Sequence, residues 1–225
     1  MRKFFLLLAT CLMLSVTAFA ADSGITSMKT DCRVDADGTA YVTQTLTLDL
    51  QTLENELDFP LGENVSRPAI AGYNAKKYTA DGVTGLKLTS DTGITGVRTF
   101  TITYELTNLA SEADGVQQFT LPLLCGRWDW GIEHYAFTVS MPAEFSAVPL
   151  FESGYQGDGI EGYMTYAMRD LMISGEMTQP LKDRDSLKMT LELPSGYFSG
   201  THAKWSANWV AAVFVLLPLL LALVY

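Results

Sequence analysis

Histidine is scarce in this chain of 225 residues, which contains only His134 and His202. A typical zinc site or a Ser-His-Asp triad needs a histidine with several partners, and the sequence assigns none to these two. His134 lies on the opposite strand face from Tyr135 and Phe137, so we expect it to face solvent. We therefore predict no metal, no cofactor and no catalytic residues, and a protein that is not an enzyme.

Basic residues are also in short supply. The chain has 15 Lys and Arg against 25 Asp and Glu, and its formal net charge is −10. Binding to nucleic acid or to anionic lipid headgroups relies on clustered positive charge. The composition argues against nucleic acid as a partner and fits a solvated extracellular surface.

Amphipathic helices of useful length are missing before Trp205, and Gln51–Leu57 has room for only one helical turn. Apolar residues instead alternate with polar ones, which is the pattern of half-buried antiparallel strands. Threonine is frequent on the polar faces, and β-branched residues favour strands. The clearest predicted strands cover residues 39–50, 97–107, 132–141 and 186–194. We predict an all-β fold, either an antiparallel β-sandwich or two successive small β-lobes divided near 108–115.

Four Asp-Gly pairs punctuate these strands, and Asp-Gly is a strong signal for a hairpin turn. They are Asp37-Gly38, Asp81-Gly82, Asp114-Gly115 and Asp158-Gly159. The first also resembles the start of a calcium loop. However, the twelfth position of that loop would be Leu46, inside a strand, where a calcium loop needs a glutamate. We therefore predict a hairpin between 25–34 and 39–50.

The two ends of the chain carry targeting signals. Residues 1–20 combine a basic start, a short apolar run and a small-residue cleavage site, which together predict a secretory signal peptide. Residues 209–225 form a run of 17 uncharged residues, close to the minimum for a transmembrane helix. Residues 21–200 then form an extracytoplasmic domain, and 201–208 a juxtamembrane link. Trp205 and Trp209 are expected at the headgroup level.

This layout predicts a bacterial cell membrane protein that crosses the bilayer once in this chain, with its N-terminal domain outside. The terminal apolar run ends without the basic residues that normally follow a span. We therefore expect it to be the first, truncated helix of a longer membrane protein. The expected partners are the lipid bilayer, other membrane helices and envelope proteins.

Cysteine is rare as well. Of three cysteines, Cys11 lies in the signal peptide, which leaves Cys32 and Cys125. An even number in an exported domain permits one disulfide, which would stabilise the fold by about 4 kcal/mol on a chain-entropy model. Cys32 shares a strand face with Met28 and Val34. Two separate buried thiols are therefore the alternative.

The most unusual local run contains Trp128, Asp129 and Trp130. Two tryptophans around a carboxylate can stack on sugar rings while the acid accepts hydroxyl hydrogen bonds. This predicts a ligand-binding site of a glycan-binding module. In the alternative, both rings share one strand face and pack on the core.

Three stretches resemble the exported N-terminal domain of the YciQ-like predicted membrane proteins of bacteria. They are the hairpin Val34–Thr45, the tryptophan run leading to Met141-Pro142, and Leu191–Phe198. The resemblance implies a signal peptide, an extracellular β-domain of unknown function and membrane helices, and it implies no catalytic residues.

Three functional hypotheses follow. The leading one is a cell-envelope membrane protein whose outer β-domain serves structure or interaction. The second is the glycan-binding module. The third is a cell-wall hydrolase with a pair of carboxylates, a site that no spacing in the sequence singles out.

Overall fold

The computed structural model describes residues 23–154, 158–159, 163–199 and 202–203. Within these residues the fold is all-β, as predicted, and contains no helix. The strands, in chain order, are β1 (Gly24–Val34), β2 (Ala40–Gly62), β3 (Val65–Ile70), β4 (Lys76–Ala80), β5 (Val83–Leu106), β6 (Ala110–Ala113), β7 (Val116–Leu124), β8 (Tyr135–Ser140), β9 (Leu150–Gly154), β10 (Asp158–Gly159), β11 (Met164–Arg169), β12 (Met172–Met177), β13 (Ser186–Pro194) and β14 (His202–Ala203).

The strands form two sheets. The first sheet has the order β11-β12-β8-β1-β2-β5-β3, with β4 also paired to β5. The second sheet has the order β10-β9-β13-β7-β6-β14. Most neighbours are antiparallel, but β1 pairs in parallel with β8, and β14 with β6. Residues 108–115 are the predicted boundary between two β-lobes. Strands that precede this boundary in the sequence and strands that follow it lie together in the first sheet.

The two sheets share one hydrophobic core, which the alternating residues supply. In each of the four predicted strands the side chains of one face are buried, as the alternation predicts, and the polar Gln44 is among them. Among the largest fully buried side chains are Phe59 and Phe100 of the first sheet and Phe119 of the second. Burying one Phe, Leu or Ile side chain contributes about 1.5–3 kcal/mol, so this shared core is the main source of stability.

Three of the four Asp-Gly pairs form the predicted turns. At Asp81-Gly82 and Asp114-Gly115 both residues have positive φ, and the flanking strands pair directly across the two-residue loop. This is the geometry of a type I′ turn. Asp37-Gly38 lies in the longer loop between β1 and β2, where Asp37 Oδ1 accepts a hydrogen bond from the Thr39 amide at 2.9 Å. The prediction is wrong for the fourth pair, which forms β10.

Two strands are much longer than predicted. The second strand of the first hairpin continues to Gly62, so Gln51–Leu57 is extended and not helical. Its partner β5 begins at Val83, well before the predicted residue 97. The register between β2 and β5 shifts at Leu50/Glu54 and Glu54/Glu56, which marks β-bulges. Bulges break the two-residue period and so hide the strand from a pattern search.

Cys32 and Cys125 both carry free thiols, which corrects the disulfide considered above. Cys32 belongs to β1 in the first sheet, whereas Cys125 follows the end of β7 in the second sheet. A disulfide needs Cα atoms within about 7 Å and Cβ bonds that point towards each other, and the two sheets hold these cysteines unbridged. Burial raises the pKa of Cys32 to about 12 and that of Cys125 to about 11.

Both ends of the chain lie outside the described residues. This applies to the signal peptide 1–20, to Trp205 and Trp209, and to the predicted membrane helix 209–225. Within the part of the chain that the structure describes, no helix is long and apolar enough to span a bilayer.

Buried hydrogen bonds join the two sheets. The Tyr135 hydroxyl of β8 donates to the Leu123 carbonyl oxygen of β7 at 2.7 Å, and it lies 3.0 Å from Thr30 Oγ1. Gln44 Nε2 donates to the same Thr30 oxygen at 3.3 Å. Because these groups are shielded from water, losing one partner leaves the others unsatisfied.

We predict that Tyr135→Phe lowers the free energy of unfolding by about 1–3 kcal/mol, since the Leu123 carbonyl oxygen loses the closer of its two side-chain donors. The other donor, Thr30 Oγ1, lies 3.4 Å away. Urea denaturation of the purified chain in detergent measures this change. The matched control is Tyr41→Phe, which removes the same hydroxyl group and keeps the aromatic ring. Tyr41 is 36% exposed. We expect the control to change stability by less than about 0.5 kcal/mol. Equal effects of the two variants would contradict the bridging role of Tyr135.

Candidate functional site

The strongest candidate site is a cluster of ionisable and polar side chains at one end of the β2–β5 pair. We call it the polar corner, and it consists of Glu56, Asp58, Tyr78, Lys87, Arg127, Asp129 and Arg184. It assembles from β2, β4, β5 and two loops, 125–131 and 181–185. No stretch of sequence contains more than two of these residues close together.

The sheet side of the polar corner is an ion-paired surface. Asp58 of β2 lies opposite Lys87 of β5 in the register. Lys87 Nζ is 2.6 Å from Glu56 Oε1 and 3.9 Å from Asp58 Oδ1. The Tyr78 ring lies across Gly85, where an added Cβ would be 2.5 Å from the ring. The glycine therefore makes room for the ring beside the charged pair.

Burial is the main reason why the pKa of Asp58 is raised. Lys87 opposes that shift, whereas Glu56 and Asp129 add to it as like charges. Burial is also the main cause of the raised pKa of Tyr78, with smaller contributions from Asp58, Cys125 and Asp129 in that order. The loop residue Asp129 is thus electrostatically coupled to two strands of the first sheet.

The loop side of the polar corner is held by backbone contacts. The Arg184 amide donates to the Trp128 carbonyl oxygen at 2.8 Å, and Ile132 and Leu181 exchange two hydrogen bonds. Arg184 has φ +63°, a left-handed conformation that is uncommon for a long side chain. The surrounding contacts must therefore stabilise this backbone.

The predicted ligand-binding trio is split by the structure. Trp128 is buried, with 2% of its surface exposed, and packs edge-on against Phe59 at a centroid distance of 6.2 Å. Trp130 is half-buried against the core. Asp129 is exposed between them and contacts Arg184 at 3.5 Å. The two rings lie in a loop and not on a strand, and Trp128 has no face available for stacking on a sugar.

A cavity of about 530 Å³ opens beside these loops. The described residues that line it are Gly126, Arg127, Asp129, Arg184 and Ser186. The sequence singled out only Asp129 among them. Arg127 and Arg184 lie 57 positions apart and no local pattern links them, so only the fold brings them together.

Other predicted features have no site geometry around them. His134 is exposed, as expected, and its carbonyl oxygen accepts a hydrogen bond from the Met28 amide at 2.8 Å. Among the described residues no group of His, Cys, Asp and Glu is placed to hold a metal ion. Asp35 and Asp37 serve the β1–β2 turn, where Arg33 pairs with Asp35 at 2.6 Å.

We predict that Gly126→Ala lowers the free energy of unfolding by about 1–3 kcal/mol, the usual cost of overpacking. An added Cβ would lie 3.1 Å from the Arg184 carbonyl oxygen and 3.2 Å from Ser186 Cβ. The control is Gly24→Ala, where the new Cβ meets nothing within 4 Å. Thermal unfolding measures both. A variant at position 126 as stable as the control would show that the two loops are not tightly packed.

We predict opposite effects of two substitutions on the pKa of Asp58. Lys87→Met removes the one opposing charge and raises this pKa further, whereas Asp129→Asn removes a like charge and lowers it. The pKa of Asp58 is higher in the folded state than in the unfolded state. The contribution of Asp58 to the free energy of unfolding therefore falls as the pH rises from the unfolded-state pKa to the folded-state pKa.

A ¹³C NMR titration of the Asp58 carboxyl measures both shifts. The control is Lys188→Met, because Lys188 pairs with Glu152 in the second sheet. Shifts of the same sign in the two corner variants would show that Asp129 and Lys87 do not act on Asp58 as charges.

The chain was compared with curated proteins and with solved structures. No curated protein matches the chain. Similar solved structures include a two-domain M1 zinc metallopeptidase bound to L-tryptophan (13% identity, TM-score 0.41) and the M1 zinc metallopeptidase from Deinococcus radiodurans (14% identity, TM-score 0.39). Each match covers 75% of this chain and 42% of the other, so the chain spans less than half the length of those peptidases.

A family model places the chain more firmly. The model for the N-terminal domain of predicted membrane proteins, DUF2207, matches residues 24–205. This range contains every strand described above. The sequence-based resemblance is confirmed at the level of a predicted membrane protein with such an N-terminal domain, while the narrower YciQ-like assignment stays a prediction. The chain belongs to the DUF2207 family of predicted membrane proteins.

Proposed function

We propose that residues 21–200 form an extracytoplasmic β-sandwich domain that serves as an interaction module of a cell-envelope membrane protein. The polar corner is its contact surface. The observation that carries this proposal is the cavity of about 530 Å³ on packed loops, which gives the domain a preformed polar surface.

Three further features support the location and the role. The family is one of predicted membrane proteins. The chain has an acidic surface composition that suits a solvated exterior. The domain is built from two sheets around one core, with no helix among the described residues, a rigid architecture of the kind that positions binding loops at its ends.

We predict that a cysteine at Asn74→Cys, an exposed loop position, reacts with a membrane-impermeant maleimide in intact cells. A cysteine at Asp183→Cys, also exposed, lies at the rim of the polar corner. It should react more slowly in cells than in the purified chain, because a bound partner shields it. The native thiols add little background, since their pKa values of about 12 and 11 leave few thiolates.

The two positions separate location from interaction. In the purified protein both should react at similar rates, which provides the reference. Labelling of Asn74→Cys only after permeabilisation would place the domain inside the cell and overturn the proposal. An unchanged ratio of the two rates between cells and purified protein would overturn the interaction role while leaving the location intact.

A further inference from the structure

The cavity of the polar corner has a specific chemical character. Its described lining offers two guanidinium groups, one carboxylate, one hydroxyl-bearing side chain and a glycine. Among these residues none is aromatic and none is a large aliphatic. A lipid tail or another apolar ligand would find no surface to bury there. The ligand must therefore be recognised by charge and hydrogen bonds.

The two arginines keep donors available. Arg184 Nη2 approaches Asp129 Oδ1 at 3.5 Å, and the two side chains are 59% and 77% exposed. An ion pair this long between exposed side chains contributes little to stability, so a ligand can compete for the Arg184 guanidinium. Arg127 forms no ion pair within the described residues and is itself exposed. A planar guanidinium presents paired N–H groups that match a carboxylate in a bidentate manner.

Asp129 restricts which anions fit. It contacts Arg184 and lines the same cavity, so the site combines one negative charge with its two positive ones. This carboxylate repels a doubly charged phosphate more strongly than a singly charged carboxylate. A ligand that presents one carboxylate and, close to it, one N–H or O–H donor would instead satisfy both signs.

We propose that the polar corner binds the carboxy terminus of a peptide. The terminal carboxylate accepts hydrogen bonds from Arg127 and Arg184, and the last backbone amide donates to Asp129. These two ligand groups are separated by a single Cα, which matches the adjacency of Arg184 and Asp129. An acidic sugar also carries a carboxylate near a hydroxyl, but the described lining lacks the aromatic ring that usually stacks on a sugar face.

This inference rests on the proposed interaction role and gives it a ligand class. The test uses the purified full chain in detergent and isothermal titration with three probes. These are an acetylated tetra-alanine peptide with a free carboxylate, the same peptide with a terminal carboxamide, and D-glucuronate. The free acid should bind on the order of tenfold more tightly than the carboxamide and more tightly than glucuronate.

Substitutions test the assignment of the residues. Arg127→Gln and Arg184→Gln should each weaken binding of the free-acid peptide by about tenfold, because each removes a charged donor. Asp129→Asn should weaken it less, since the amide oxygen still accepts. The control is Arg169→Gln, which changes an exposed arginine of β11 outside the cavity lining. Unchanged melting temperatures confirm that all four variants are folded.

Four results would overturn the inference. The first two are equal affinity for the free acid and the carboxamide, and tighter binding of glucuronate than of the peptide. The other two are unchanged affinity in the two arginine variants, and a failure of all three probes to bind. If Asp183→Cys is still shielded in cells in any of these cases, the interaction role stands and only the ligand class is wrong.

Discussion

The antiparallel pairing of β2 with β5 is the constraint on which the rest of the domain depends. The ladder begins at Ala40 opposite Leu106 and ends at Gly62 opposite Thr84. Every other strand of the first sheet is added to this pair, β1 on one side and β3 and β4 on the other. Because side chains alternate across a pleated strand, the same ladder supplies apolar residues to the core and Glu56, Asp58 and Lys87 to the polar corner. Core and candidate site are thus two faces of one element.

The loop half of the polar corner depends on the core in turn. Trp128 inserts from the loop into the space beside Phe59, and within the described residues its indole Nε1 has no hydrogen-bond acceptor. A buried donor without a partner costs about 1–3 kcal/mol, and the left-handed backbone at Arg184 adds strain. Unfavourable local features of this kind persist where tertiary packing outweighs them, and they concentrate at binding surfaces. The large apolar surface of Trp128 offsets part of that cost.

Local pattern predicted the faces of the strands but not their extents or partners. The alternation around Leu46, Phe100, Phe137 and Leu191 identified the core correctly, because one-sided burial imposes a period of two. The bulges after Leu50 interrupt that period, so the alternation did not predict the part of β2 that follows Leu50. Sequence order says nothing about the parallel neighbour of β1. The same holds for the polar corner, whose residues come from several separate segments. The Trp-x-Trp spacing of residues 128–130 predicted a shared strand face, whereas in the loop it turns one ring inward and leaves the acid between the rings outside.

The parallel pairing of β1 with β8 also limits when the first sheet can be completed during synthesis of the chain. Thr30 and Tyr135, which meet across β1 and β8, are 105 positions apart in the chain. At typical rates of synthesis, roughly 5–20 s separate the appearance of the two strands. During that interval the β1 edge that later pairs with β8 has unpaired backbone N–H and C=O groups, while β2 can already pair on the other side. In a nascent chain of this kind, the unpaired edge of β1 could form backbone hydrogen bonds with any extended peptide. The order of strands in the first sheet therefore creates a defined period in which a chaperone that masks strand edges would matter most.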